Sequence, residues 1–279
     1  GGAAPAPAPT RPFYLAIGAS SSLGQQPTGV LARRESATVD GYADDLVRFE
    51  RKNGVNFALT KIGCPGETPA SMVVASLGDA CYPGPTPQLS RAVAFLRAHR
   101  ADAGLVTIDL GFNSVRACLA QHVYDLGCAH RGLAEVALYL PRVVAALRRA
   151  AGPRVDIVGL NSFDPFLVRL IDDPRGAVVA PGSLRVIESL DDTLADDYAD
   201  AGVAVADVFG AFDAGDAAPR EIPRVGSIPS DVDNVCLYTW MCEPAPFGPD
   251  NHPNNAGYAL IAQAIADVLP GAWRDFPPV

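Results

Sequence analysis

The chain has 279 residues, 49% of them hydrophobic and 19% charged, an ordinary composition for a globular protein with a substantial core. Its 31 acidic residues outnumber 22 basic ones for a formal charge of −9, and no basic run interleaves with aromatics, which argues against nucleic acid or an anionic membrane surface as partner. No stretch reaches the roughly 18 uninterrupted apolar residues of a membrane span, so no transmembrane segment is expected.

The chain opens on Gly1-Gly2 followed by alternating Ala and Pro, which cannot bury a core. Residues 1–11 are therefore expected to be a flexible, exposed leader left by processing or trimming, ahead of one domain over 12–279. Residues 13–17 form a continuous apolar run ending at Gly18, as in a strand buried on both faces. Similar runs, rich in β-branched residues and followed by polar or Gly-containing turns, lie at 55–59, 105–110, 155–160 and 203–208. Helical patterns fill the intervals at 41–52, 88–100, 133–151, 183–201 and 255–269. This alternation predicts an α/β fold: a single doubly wound, flavodoxin-like, three-layer α/β/α domain on a five-stranded parallel sheet. Ligands of such sheets bind beyond the carboxyl ends of the strands, so candidate residues are those that follow each run.

After the first run, Gly18-Ala19-Ser20-Ser21-Ser22-Leu23-Gly24 places Ser20 on a tight strand-to-helix turn, its hydroxyl outward and its N–H near a helix start. Taken alone, the stretch reads as readily as a turn with capping hydroxyls. After the second run comes Cys64-Pro65-Gly66-Glu67-Thr68, where Gly66 lets a backbone N–H approach a ligand closely or simply makes a turn. After the third, Gly111-Phe112-Asn113 sets an amide donor at a strand tip. Near the C-terminus, Asp250-Asn251-His252-Pro253-Asn254-Asn255 precedes an apolar helical tail. A carboxylate that holds one imidazole nitrogen leaves the other to accept a proton from a nucleophile.

These four blocks, in this order from Tyr14 to Leu269, resemble the SGNH hydrolases, the GDSL family of esterases and lipases, in its secreted, three-disulfide actinobacterial type. The resemblance implies that Ser20 is the nucleophile and His252 its base. It also implies an oxyanion hole of the Ser20 and Gly66 N–H groups and the Asn113 side chain, and no cofactor. Three positions depart from the family pattern. Ala19 and Ser114 stand where Asp is usual, which implies altered turn support rather than lost activity. Pro249 stands where the usual Asp would lie three residues before the His, leaving Asp250, two before, as the nearby carboxylate. Residues i and i+2 of an extended segment point to the same side, so Asp250 can reach the near nitrogen of His252. The alternative is a Ser-His dyad oriented by a backbone carbonyl near 249 or 250.

The six cysteines are even in number and none has Cys-x-x-Cys spacing. The simplest of the fifteen connectivities for six cysteines pairs neighbours: Cys64 with Cys81, Cys118 with Cys128 and Cys236 with Cys242, each closing a loop beside a strand end. Reduced, buried thiols in a cytosolic protein are the alternative. With the leader, the even count favours a secreted or otherwise extracytoplasmic protein. No His, Cys and carboxylate cluster has metal spacing, so no metal is expected. His99, His122 and His130 read as helix-end or loop residues.

Residues 217–248 are rich in Pro and aromatics and run directly into the His252 block. They read as a long loop without structure of its own, a lid or binding loop, or else a surface loop pinned by Cys236 and Cys242. Trp240 and Phe247 in it, with Phe112 beside Asn113, are candidate substrate-binding residues. The expected substrate is a small-molecule or lipid ester, taken by a secreted, monomeric carboxylester hydrolase. A carbohydrate O-deacetylase and a non-catalytic lipid- or carbohydrate-binding relative are the alternatives.

Overall fold

The computed structural model describes residues 11–27, 35–74, 81–82, 86–120, 125–223 and 226–270; residues 1–10 of the proposed leader and His122 lie outside them, while Arg11 donates to Asn56 O at 2.8 Å. Its centre is a five-stranded parallel sheet made of β1 (Phe13–Gly18), β2 (Ala58–Lys61), β3 (Gly104–Asp109), β4 (Val155–Leu160) and β5 (Ala204–Ala206). The spatial order is β2-β1-β3-β4-β5, the flavodoxin-like order, which reverses direction between β1 and β3. Register follows Phe13 opposite both Ala58 and Gly104, and Gly104 opposite Val155.

Side chains of β1 alternate between two cores, which is why all six of its residues are buried. Leu15 and Ile17 join Val106 and Ile108 beneath α2 (Gln88–Ala98), α4 (Leu126–Ala150) and α5 (Gly176–Asp200), where Leu96, Leu140, Leu147, Ile187 and Leu194 supply the apolar faces. Tyr14 and Ala16 turn the other way, joining Leu105 and Leu160 under α1 (Tyr42–Lys52) and α7 (Asn255–Val268), which bring Leu46, Tyr258, Ile261 and Ile265. Between β3 and α4 lies α3 (Phe112–Leu119). The three layers expected from the sequence are present.

Element bounds differ from expectation where side chains, not hydrophobicity, set the ends. The second strand lies at 58–61 rather than 55–59, because Val55 and Phe57 enter the core ahead of the ladder. The last strand is only Ala204–Ala206, since Asp207 leaves the sheet to cap a helical turn, its Oδ1 accepting from Gly210 N at 2.9 Å. The α4 helix starts seven residues early, at Leu126, where Asp125 accepts from Cys128 N at 3.0 Å.

The stretch expected to be an unstructured loop is largely ordered. A hairpin pairs Pro219–Ile222 with Gly226–Pro229, and α6 (Ser230–Tyr238) follows, with Asp231 and Asp233 in its first turn. Thr239–Trp240 then pairs antiparallel with Asp250–Pro253, Trp240 opposite Asp250 and Thr239 opposite Pro253. The disulfides are Cys64–Cys81, Cys118–Cys128 and Cys236–Cys242, with Cα separations of 5.8, 5.6 and 5.0 Å. Among the described residues no helix is long and apolar enough to cross a membrane.

Candidate active site

Ser20 stands where β1 leaves the sheet. Gly18 has φ +115°, and a Cβ there would lie 2.0 Å from the Asp109 carbonyl oxygen, so only glycine lets β1 and β3 meet at this tip. The Ala19 N–H donates to that same oxygen at 2.8 Å, and the chain then turns through a short 3₁₀ segment, Ser20–Leu23. Ser22 Oγ donates back to Ala19 O at 2.6 Å. The serine therefore sits on a turn fixed to the switch point between β1 and β3, where doubly wound sheets bind ligands.

His252 arrives from the other end of the chain on the Asp250–Pro253 strand, held by its pairing with Thr239–Trp240 and by Asn254, which caps α7 through Gly257 N at 3.1 Å. Its Nε2 lies 2.9 Å from Ser20 Oγ and its Nδ1 lies 2.8 Å from Asp250 Oδ1. The same carboxylate oxygen accepts the His252 backbone N–H at 2.8 Å, so the i, i+2 geometry ties the carboxylate to both the main chain and the ring. The two side chains are only 7% and 11% exposed, which strengthens their interaction relative to a surface pair.

Gly66 takes φ +80° on a turn tethered to β1 by Cys64 N donating to Gly18 O at 2.9 Å, and its missing Cβ would face open space. Asn113 is in the first turn of α3; its Nδ2 donates to Glu67 O at 3.1 Å while the residue lines the cavity beside Ser20. The structure thus brings Ser20, Gly66, Asn113, Asp250 and His252 to one place.

A clamp the sequence did not reveal holds the two turns together. Gln88, fully buried, accepts from Gly18 N at 2.7 Å through Oε1, and its Nε2 donates to Gly18 O at 3.0 Å and Glu67 Oε2 at 2.8 Å. Ser71 Oγ donates to the other Glu67 oxygen. Asp109, at the end of β3, also lines the cavity. Burial pushes its carboxyl up to about 6 against the pull of the Ser22 N–H, His252 and Ser21, and its Oδ2 is buried without a hydrogen-bond partner. It supports the Ser20 turn from the neighbouring strand, opposite a position where Ala19 has no carboxylate to offer.

The apolar part of the cavity wall is Phe112, Leu160, Phe163, Val208 and Ile261, with Asn161, Ser162 and Asn251 completing it. Phe112 stacks against Phe166 with centroids 6.3 Å apart, whereas Trp240 and Phe247 pack on each other at 6.0 Å and line neither cavity at Ser20. Trp240 Nε1 donates instead to Gln26 Oε1 at 3.1 Å, bracing the strand that carries His252. His99 pairs with Asp102 at 3.0 Å at the end of α2, and His130 is exposed on α4; neither is at the site. Among the described residues no group of His, Cys and carboxylates could hold a metal ion.

The fold matches solved structures over nearly the whole chain. A phospholipase A1 from Streptomyces albidoflavus superposes with TM-score 0.58 at 16% identity, covering 92% of this chain and 99% of the other. An extracellular lipase from Streptomyces rimosus gives 0.56 at 14% identity, covering 92% and 100%. This chain has the SGNH hydrolase fold. A mutant of the acetyl-xylooligosaccharide esterase Axe2 from Geobacillus superposes on this SGNH fold with TM-score 0.50 at 14% identity, over 93% of this chain and 94% of its own. No family model and no curated protein sequence matches the chain.

Proposed function

We propose that the protein is a serine carboxylester hydrolase working through a Ser20-His252-Asp250 relay. The observation that carries this reading is the pair of contacts on one imidazole, 2.9 Å from Nε2 to Ser20 Oγ and 2.8 Å from Nδ1 to Asp250 Oδ1. Ser20 Oγ attacks the ester carbonyl as His252 Nε2 takes its proton, and Asp250 holds the ring and stabilises the imidazolium. The negative oxygen of the tetrahedral intermediate is met by the N–H groups of Ser20 and Gly66 and by Asn113 Nδ2. Losing one such donor typically lowers turnover by roughly 10² to 10³. Collapse returns the proton from His252 to the departing alcohol and leaves an acyl group on Ser20. Water, deprotonated by His252, then releases the acid and restores the serine.

The cavity beside Ser20 has a volume of about 50 Å³. One water needs roughly 10–15 Å³ of such space, so it holds on the order of three to five non-hydrogen atoms. That volume favours short acyl groups, acetyl to butyryl, over long chains, and supports deacetylation of a carbohydrate as the second reading. The disulfides suit an oxidising compartment, and we place the enzyme outside the cytoplasm, with residues 12–279 acting as one catalytic domain.

Two measurements test the reading. A fluorophosphonate probe should label the wild type and leave Ser20→Ala unlabelled; equal labelling of both would sink the relay. Across p-nitrophenyl esters from acetate to octanoate, activity should peak between acetate and butyrate. A peak at octanoate would exclude a short-acyl site, and hydrolysis of none would leave only a binding protein.

A further inference from the structure

Two cavities meet at Ser20, and their walls differ in kind. The first, described above, carries the rings of Phe112 and Phe163 with Leu160, Val208 and Ile261 beside Asp109 and Asn113, and His252 does not border it. The second, about 280 Å³, is a groove lined by Ser20, Pro65, Gly66, Arg116, Asn251 and His252. In acyl transfer the imidazole returns its proton to the departing oxygen, so the alcohol lies on the side His252 borders. The acyl group then occupies the first cavity and the alcohol the second.

Among the described residues, Arg116 is the one permanently charged side chain on the wall of that groove, and no carboxylate lines it, although acidic residues outnumber basic ones 31 to 22 in the chain. It stands three positions after Asn113 on α3, so the two lie on one helix face, Asn113 bordering the first cavity and Arg116 the groove. The helix that carries it is fixed: Cys118 bridges to Cys128 on α4, and Ser114 Oγ lies 3.3 Å from Glu135 Oε1. Arg116 itself is exposed and is in no ion pair among the described residues. A guanidinium so placed offers a planar fork of donors that matches phosphate oxygens in pairs.

We propose that the groove is the subsite for the alcohol portion of the substrate and that Arg116 selects esters whose alcohol carries a phosphate group. The proposal rests on the esterase reading above. The phosphate belongs either to a soluble phosphorylated alcohol or to a lipid headgroup, which present the same oxyanion to Arg116.

Monobutyryl glycerol phosphate and monobutyryl glycerol, which share an acyl chain, separate the effect of charge from that of the cavity. For the wild type, kcat/KM should favour the phosphorylated ester by about tenfold or more, mainly through KM, as expected for one charge-assisted contact in a solvated groove. The preference should shrink as salt is added, collapse towards unity in Arg116→Gln and survive in part in Arg116→Lys. Circular dichroism of both variants checks that the fold is kept. A wild-type ratio near one, or a ratio that survives in Arg116→Gln, overturns the subsite while leaving the esterase reading intact. Hydrolysis of neither ester overturns both. Arg116-dependent release of butyrate from 1-palmitoyl-2-butyryl phosphatidic acid carried in phosphatidylcholine vesicles identifies the phosphate as a headgroup; hydrolysis of the soluble ester alone identifies a soluble alcohol.

Discussion

Replacing Asp250 with Asn probes the part of the site that departs most from the SGNH pattern the sequence resembles. One carboxylate oxygen accepts both the His252 backbone N–H and the ring Nδ1–H, each at 2.8 Å, with both side chains nearly buried. At that distance and an effective dielectric of about 20, Coulomb's law gives an imidazolium–carboxylate attraction of about 6 kcal/mol, before the cost of removing both groups from water. Asn keeps the shape and can still accept the backbone N–H. It loses the charge, and if its amide nitrogen takes the Oδ1 place instead it gives up the backbone N–H as well and holds the imidazole in the tautomer that donates to Ser20. We expect kcat to fall by roughly 10³ to 10⁴, about 4 to 5.5 kcal/mol of transition-state stabilisation, with little change in KM. The assay is steady-state hydrolysis of p-nitrophenyl butyrate, with fluorophosphonate labelling rate as a measure of serine reactivity independent of substrate binding. A loss under about tenfold in both would refute the reasoning, because a backbone carbonyl would then be sufficient to orient the ring.

Asp109, Asp164 and Asp191 are pushed up by burial to about 6, 7 and 8 from an ordinary 3.8. The folded protein thus holds protons that the unfolded chain releases, and stability should fall as pH rises from about 4 to 8; a Tm that instead climbs over this range would contradict the assignment, and Asp164→Asn should flatten the slope. Phe163→Ala, which removes a cavity wall stacked 4.1 Å from Phe212, should move the ester optimum beyond butyrate while lowering stability by about 2–4 kcal/mol; an unchanged optimum would show that the ring does not limit the acyl group. Gln88→Leu strips partners from Gly18 and Glu67 without exposing the site, and should lower both Tm and kcat, by about 2–3 kcal/mol in stability, whereas an unaltered kcat would separate the clamp from catalysis.

The sheet was legible because its strands are buried on both faces and so read as uninterrupted apolar runs, residues 13–17 most clearly. The positions of Ser20, Gly66 and Asn113 followed from the same logic, since each comes directly after a strand or its turn at the end where such sheets bind ligands. Gln88 and Asp109 were not legible. A polar residue opening a helix and a carboxylate closing a strand look like ordinary surface positions until the neighbouring turns are seen to place their N–H and C=O groups against them. Phe163 was hidden for a related reason: it lies beyond β4, and only the packing of Phe212 and α7 decides that it faces the cavity.

The 217–248 stretch shows most clearly where sequence reading ends and why. Its Pro and aromatic content suggested a loop over the site, yet Trp240 turns its indole N–H to Gln26, and Thr239–Trp240 zips onto the strand that carries Asp250 and His252. Two residues of antiparallel pairing leave no periodic signal, and the Cys236–Cys242 bridge marks only that the segment is closed on itself. The consequence is mechanistic. An imidazole that must reach Ser20 from 232 residues away cannot rely on its own strand, which is four residues long. What aligns it is the ribbon from α6, so substitutions that loosen Trp240 or the bridge should act on the His252–Ser20 distance, and thus on kcat, although neither lies on the wall of the cavity beside Ser20.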